Sequence, residues 1–339
     1  MSLKKWIVAF ALGFVAFLVL PQQASAASGA EFTIRNVYSE EQTDPEAGFF
    51  AYQPIPDHDY TINTMVENLN RNETLDFEAR LLTATTQDQG GISYLPAKTP
   101  RDKSLKLALP DMLKDQAVIQ KFSIAPGQKQ VLTYHVHTPK EPIKGTILGS
   151  VHVKRLNKSD TSKQMMALNN KFSMTIPVIF KGEMADTLLP ELHLTKVQLQ
   201  AVGGLPQLTA TVHNSQPVMF GEIYLTTKLF KKGQDTPILT QRDKNLKMAP
   251  NSTMNYIMTT NNKTLAPGRY TLKMTVVSGA ETFHLQKSFT IKATDEKEIT
   301  KQLVKDNRHS GLFWLLLGVG LTLGIGLLIF LIRRRKNKA

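Results

Sequence analysis

A short acidic cluster around a histidine holds the residues with the greatest capacity for acid–base chemistry. Asp57 and Asp59 flank His58 in a loop marked by prolines. Glycoside hydrolysis needs an opposing carboxylate across the scissile bond, and nothing in the sequence places one there. The chain also lacks a Gly-x-Ser-x-Gly elbow, a Walker-type loop and a dinucleotide-binding glycine motif. The sequence therefore favours a binding protein over an enzyme and indicates no cofactor.

Three histidines form the second chemical candidate. His135 and His137 are two residues apart, so both point to the same face of a predicted strand, and His152 lies on a nearby predicted strand. Three imidazoles could bind zinc, but no carboxylate or fourth ligand is in register with them. A polar sheet face on which histidines cluster is the favoured interpretation, and we predict no metal site.

Two tyrosines are the candidates for carbohydrate binding, which commonly uses aromatic side chains as platforms for sugar rings. Tyr52 lies in the aromatic run 49–53, and Tyr94 follows a Gly-Gly pair. Both lie in or beside predicted loops, from which a ring could project. Packing in the core is the alternative for each of them.

The elements that must position these residues are strands. Residues 60–66 and 75–81 alternate apolar with polar side chains, the pattern of a half-buried strand. Turn signals rich in Gly, Pro and Asn separate short strands of this kind along the chain. A second series follows the proline-marked stretch 181–190. We therefore predict an all-β fold of two tandem Ig-like β-sandwich domains at 30–160 and 164–294, with a stalk at 295–310.

Both ends of the chain carry apolar segments. Residues 311–332 are uncharged and would span about 33 Å as a helix, enough to cross a bilayer. A cytoplasmic basic tail, 333–339, follows this predicted transmembrane helix and fixes its orientation. The tail residues that set this topology are Arg333, Arg334, Arg335, Lys336 and Lys338.

The N-terminus has the form of a signal peptide. Residues 1–26 combine two lysines, a short apolar run and a small-residue triplet, so we predict cleavage between Ala26 and Ala27. The stretch before the C-terminal span contains no LPxTG motif, so the anchor should be retained. We expect a single-pass membrane protein with its ectodomain at the cell surface.

Charge and cysteine content limit the partners. The formal charge of +13 falls to +6 once the two lysines of 1–26 and the five basic residues of the tail are set aside. This excess is too small and dispersed to indicate nucleic acid. It would favour an anionic surface polymer such as a teichoic acid, and an ordinary solvated surface explains it equally well. The chain has no cysteine, which fits a Gram-positive exterior and excludes thiol catalysis.

An ordered set of short segments resembles one family, the WxL-interacting proteins. The segments are 48–59, 84–85, 91–94, 124–127 and 145–149 in the first half, and 249–252, 265–272 and 287–291 in the second. The chain departs from the expected pattern at Phe283, where a Trp would be expected. If that aromatic contacts a partner, the choice of partner differs here.

This resemblance implies a Gram-positive cell-surface protein that binds peptidoglycan through 30–160 and host factors through 164–294, beside WxL-domain surface proteins. It implies an adhesion or scaffold role. The alternative, drawn from the strand-rich ectodomain, is an assembly chaperone that lends an exposed strand to folding surface proteins.

Overall fold

The computed structural model describes residues 29–97, 99–156, 172–261, 264–295, 299, 315–320 and 322. Within these ranges the fold is all-β, with one short 3-10 helix (Leu109–Met112) between the strands, which confirms the predicted class. The described residues include no helix that is both long enough and apolar enough to cross a membrane.

The first half of the chain forms two large sheets around one core. Its strands are β1 (Phe32–Val37), β2 (Phe50–Tyr52), β3 (Asp59–Asn68), β4 (Leu75–Thr83), β5 (Thr85–Thr86), β6 (Ile92–Ser93), β7 (Ile119–Ile124), β8 (Lys129–His137), β9 (Thr146–Leu156) and β10 (Ser173–Lys181). One sheet has the order β1-β3-β8 and the other β2-β10-β9-β4-β7, while β5 pairs with β6. Buried side chains of both sheets, such as Tyr60 and Phe77, share one cluster, so the sheets form a sandwich.

The burial pattern of β4 shows why these segments become strands. Leu75, Phe77, Ala79 and Leu81 are buried, and the residues between them are only partly buried. β3 alternates in the same way. This period of two fits a strand with one face on a core, so the alternation predicted for residues 60–66 and 75–81 is confirmed.

The second half forms another pair of sheets around its own core. Its strands are β11 (Leu192–Val202), β12 (Leu205–Asn214), β13 (Phe220–Lys231), β14 (Leu239–Met248), β15 (Ser252–Thr259), β16 (Gly268–Ser278) and β17 (Glu281–Ile291). The sheet orders are β11-β12-β15 and β14-β13-β16-β17. Phe283, the departure noted above, packs against this core from β17.

The two sandwiches repeat one topology, and a buried asparagine marks the equivalence. Asn68 ends β3, and its Nδ2 donates to the carbonyl of Ala125 at 3.1 Å, in the turn after β7. Asn214 ends β12, and its Nδ2 donates to the carbonyl of Ala249 at 3.5 Å, in the turn after β14. Each amide therefore joins the end of one strand to the turn between two others.

The position of β10 sets the packing boundary between the halves. β10 lies within the range 164–294 predicted for the second domain, but it pairs with β9 and β2 in the first sandwich. Ile176, Val178 and Phe180 bury their side chains in the first core. The first packing unit therefore continues to Lys181, because β10 fills the sheet position next to β9.

This boundary predicts the behaviour of two fragments. Residues 29–188 should melt cooperatively, whereas residues 29–160 should not. The shorter fragment loses three buried apolar side chains, worth about 5 kcal/mol or more, which is comparable with the stability of an ordinary domain. Thermal denaturation followed by circular dichroism measures the difference. Equal cooperative melting of both fragments would show that β10 is not part of the first folding unit.

Candidate functional site

Tyr52 lies in the core of the first sandwich. The ring is 1% exposed and stacks on Phe180 with centroids 4.9 Å apart. Burial raises the pKa of Tyr52 to about 12. Its role as a sugar platform is therefore corrected: the run 50–52 forms β2 alongside β10, which turns the ring inward and leaves no face free.

Tyr94 lies on the outer face of the five-stranded sheet. Its backbone carbonyl accepts a hydrogen bond of 2.9 Å from Oγ of Ser150 on β9. Its side chain packs on a small apolar cluster that includes Leu148, Ile179 and Ala249, the last from the second half. The ring is partly exposed, and burial of the rest raises its pKa. Of the two predicted tyrosines, only Tyr94 keeps part of its ring at the surface.

Polar side chains continue from Tyr94 across the same face. His152 follows Ser150 by two residues on β9 and lies in register with Arg80 of β4. Arg80 forms an ion pair with Glu78. We call Tyr94, Ser150, His152, Arg80 and Glu78 the Tyr94 face. It combines a partly exposed aromatic residue with the partly exposed guanidinium of Arg80 and carboxylate of Glu78, which can stack on and hydrogen-bond to a sugar. The hydroxyl of Ser150 is buried and already bonded to Tyr94.

His152 is a buried member of the Tyr94 face, as Ser150 is. It is 4% exposed, and its Nδ1 has no hydrogen-bond partner among the residues described. Burial, followed by the neighbouring charge of Arg80, lowers its pKa below the ordinary 6.5. The imidazole is therefore held neutral.

The other two histidines of the predicted group, His135 and His137, lie on β8 in the three-stranded sheet. His137 sits between two carboxylates, with Nδ1 2.7 Å from Asp59 and Nε2 3.1 Å from Asp57. Lys114 Nζ approaches Asp59 at 2.9 Å, so this cluster is a network of charges. His135 contacts Thr61, whereas β9 carries His152 in the other sheet. In the described part of the chain, no three His, Asp or Glu residues are arranged to hold a metal ion.

The long connection between β4 and β7 joins the two sandwiches. Thr86 Oγ1 lies 2.5 Å from Ser252 Oγ and accepts a hydrogen bond from the amide of Ala249 at 2.9 Å. Further along, the side-chain amide of Gln89 makes two hydrogen bonds with the backbone of Ile257, at 2.7 and 3.0 Å. This amide occupies the outer edge of β15 much as another strand would.

Asp102 makes a second set of contacts across the interface. Its carboxylate lies 3.1 Å from Nε2 of His213 and accepts a hydrogen bond from Thr253 at 3.2 Å. Burial raises the pKa of this carboxyl, but hydrogen bonds from Ser104 and the proximity of His213 outweigh it, so the pKa lies below its ordinary value. Asp102 is therefore ionised at neutral pH and serves as an acceptor between the halves.

The sequence pattern of the two halves matches two family models in order. Residues 32–155 match the WxL Interacting Protein peptidoglycan binding domain, and residues 163–301 match the WxL Interacting Protein host binding domain. The chain belongs to the WxL-interacting protein family. The resemblance seen in the sequence is thus confirmed. No curated protein matches this WxL-interacting protein.

Solved structures of three chaperones show a weak likeness to this WxL-interacting protein. The E. coli chaperone DraB is 16% identical, with 71% of this chain and 93% of that chain covered and a TM-score of 0.27. The Pseudomonas aeruginosa CupB2 chaperone is 12% identical, with 67% and 91% covered and a TM-score of 0.25. The class 5 fimbriae chaperone CfaA is 10% identical, with 76% and 98% covered and a TM-score of 0.27. At these TM-scores the likeness gives no information about the function of this chain.

Several predicted positions lie outside the described residues. They are the cleavage site at Ala26 and Ala27 and the tail residues Arg333, Arg334, Arg335, Lys336 and Lys338. Of the predicted span, residues 315–320 and 322 are described, and they are helical.

The sequence analysis named Tyr94 and His152 as candidates but not the other residues of the Tyr94 face. Arg80 and Ser150 occupy outward positions of predicted strands, and their alternation with core residues was the available signal. Their proximity to Tyr94 depends on how the β4–β7 connection folds back over the sheet, which no local pattern shows.

The neutral state of His152 predicts a pH dependence of stability. Since its pKa is lowered in the folded state, the unfolded state binds more protons as the pH falls below about 6.5. Unfolding free energy should therefore decrease below that pH, by at most about 1.4 kcal/mol per pH unit from this residue. His152→Gln should reduce the slope, and the exposed His135→Gln should leave it in place. Urea denaturation between pH 5 and pH 8 measures it; equal slopes in both variants would contradict the assignment.

Two glycines with similar backbone geometry test the interface between the halves. Gly145 has φ of +74°, and a Cβ there would lie 2.1 Å from the carbonyl oxygen of Pro217 in the second half. Gly127 has φ of +66° and no atom within 4 Å of such a Cβ. Gly145→Ala should therefore cost about 1 to 3 kcal/mol more than Gly127→Ala. Thermal unfolding of a fragment that contains both sandwiches provides the comparison, and equal losses would mean that the interface does not hold Gly145 against Pro217.

Proposed function

We propose that this WxL-interacting protein is a non-enzymatic scaffold at the Gram-positive cell surface. Its first half would bind peptidoglycan, and its second half would bind host factors, beside WxL-domain surface proteins. The observation that carries the proposal is the ordered pair of family matches, each covering most of one sandwich. The repeated sheet order supports the further proposal that both units are Ig-like domains.

We propose that the membrane is the site of attachment. A cleaved signal peptide at 1–26, a span at 311–332 and a basic tail at 333–339 would place the ectodomain outside and the C-terminus in the cytoplasm. The support for this topology comes from the apolar segments and flanking charges of the sequence.

We propose the Tyr94 face as the peptidoglycan site. It carries a partly exposed tyrosine together with the charged groups of Arg80 and Glu78, and Ser150 hydrogen-bonds to the backbone of Tyr94 where the β4–β7 connection crosses the sheet. The opposite sheet of the same sandwich presents the charged cluster around His137 instead. A polysaccharide of pyranose rings is better matched by the face that offers an aromatic surface.

Two sheet edges favour a scaffold over a strand-donating chaperone. At the edge of β8, Gln116 accepts a hydrogen bond from the amide of His135 at 2.9 Å, and Gln120 donates to the carbonyl of Thr133 at 3.2 Å. Gln89 occupies the edge of β15 in the same manner. Strand exchange needs free backbone groups, and glutamine side chains already occupy those of Thr133, His135 and Ile257 at these two edges.

Co-sedimentation with insoluble peptidoglycan tests the proposed site in the whole ectodomain. Tyr94→Leu keeps apolar contact with the cluster but removes the ring, and it should weaken binding roughly three- to ten-fold. Tyr94→Phe should bind like the parent. The matched control is Tyr224→Leu, the same change at an exposed tyrosine of the second sandwich, and it should have no effect. Binding by Tyr94→Leu at the parent's level would place the site elsewhere.

A pull-down with a WxL-domain surface protein separates scaffold from chaperone. A scaffold should retain its partner in a stable complex after the partner has folded. Release of the partner on folding would support the chaperone instead.

A further inference from the structure

The outer face of the four-stranded sheet in the second half is rich in basic side chains. Four exposed basic residues occupy outward positions on three neighbouring strands. They are Lys228 on β13, Arg242 on β14, and Lys273 and Arg269 on β16. Tyr224, also outward, is 56% exposed. We call these five residues the cationic face.

In the part of the chain that the structure describes, no acidic side chain lies in the middle of the cationic face. Asp243 alternates with Arg242 on β14 and points inward, where the hydroxyl of Tyr256 hydrogen-bonds to it. Glu222 and Glu281 lie at one end of the sheet, and Asp235 lies in the turn at the other. Among the residues described, none of the four basic side chains of the face forms an ion pair.

Two of these basic residues place like charges next to each other. Lys228 and Lys273 are direct register partners on neighbouring antiparallel strands. Like charges in directly opposite positions destabilise a sheet. Lys273 gains some compensation from Phe230, whose ring centroid lies 5.0 Å from its Nζ. Folding alone gives no reason for the pair, but an anion bound between the two ammonium groups would.

The equivalent face of the first sandwich carries a carboxylate among its basic side chains. There Glu78 pairs with Arg80 and lies in register with Lys121 and Lys154. Tyr94 and its neighbours also cover part of that face. The two sandwiches share a topology, but among the described residues only the second half has basic side chains at the centre of this face without a carboxylate between them.

We propose that the cationic face binds an acidic polysaccharide, whose sulfate or carboxylate groups pair with Lys228, Lys273 and Arg242. This deepens the host-binding role proposed above and rests on it. Between the cations lie hydroxyl side chains, which hydrogen-bond to sugars, and Tyr224 offers a ring for stacking. The outward hydroxyl residues are Thr226, Thr271, Thr275 and Ser288.

A folded acidic protein fits the cationic face less well. The buried centre of a protein interface is depleted of charged residues and enriched in apolar ones. Here the centre holds the lysine pair and threonines, and the aromatic rings lie to either side. A flexible polyanion with hydroxyl groups satisfies such a surface without needing an apolar contact.

The test uses the whole ectodomain and immobilised heparin as a sulfated polysaccharide probe at 0.15 M salt. The variant Lys228→Gln/Lys273→Gln/Arg242→Gln should bind at least about ten-fold more weakly than the parent. The matched control, Lys106→Gln/Lys129→Gln/Lys140→Gln, removes the same charge from exposed positions of the first half and should bind within about two-fold of the parent. Neutral dextran should not bind. Melting temperatures at or above the parent's exclude unfolding as the cause of a loss.

Three outcomes would overturn the proposal. Equal loss in both triple variants would mean that net charge alone drives binding. Polyglutamate bound as tightly as heparin, with the same sensitivity to the face variant, would identify an acidic protein as the occupant. No heparin binding by a parent that still sediments with peptidoglycan would refute this inference while leaving the peptidoglycan proposal standing.

Discussion

The length of the connection between β4 and β7 is the feature that makes the two sandwiches differ. It spans residues 84–118, whereas the equivalent connection between β13 and β14 spans only 232–238. The longer connection folds back over its own sheet, places Tyr94 there and reaches the second sandwich through Thr86, Gln89 and Asp102. One insertion therefore builds the candidate peptidoglycan site and joins the two halves.

This asymmetry also explains the charges on the two equivalent sheet faces. In the first half, covering the face with a loop requires that charges be paired or buried with partners, as Glu78 and Arg80 are. In the second half the short turn leaves the face in solvent, where four cations need no intramolecular partner. The same topology thus yields one covered face with a partly exposed aromatic and one open face with positive charge.

The sequence predicted the strands that show a local alternation of apolar and polar residues. It did not predict the features that depend on pairing between strands far apart in the chain. The alternation in β3 and β4 gave those strands correctly, because their burial follows directly from period two. The prediction that Tyr52 projects from the surface was wrong, because β2 pairs in parallel with β10, more than a hundred residues away. The same pairing assigns β10 to the first sandwich. Tyr94 could be predicted from its glycine-rich context, whereas its polar neighbours could not, since they come together only when the connection folds over the sheet.

If the Tyr94 face binds peptidoglycan and the cationic face binds an acidic polysaccharide, one molecule can hold both ligands at once, one on each half. Simultaneous binding tests this most directly: insoluble peptidoglycan is saturated with a fragment that contains both sandwiches, washed, and then offered fluorescent heparin. We expect heparin to sediment with the peptidoglycan only when the fragment is present, in roughly equimolar amount to the bound protein, and without displacing it. Release of the fragment by heparin would contradict simultaneous binding, because it would mean that both polymers compete for one surface.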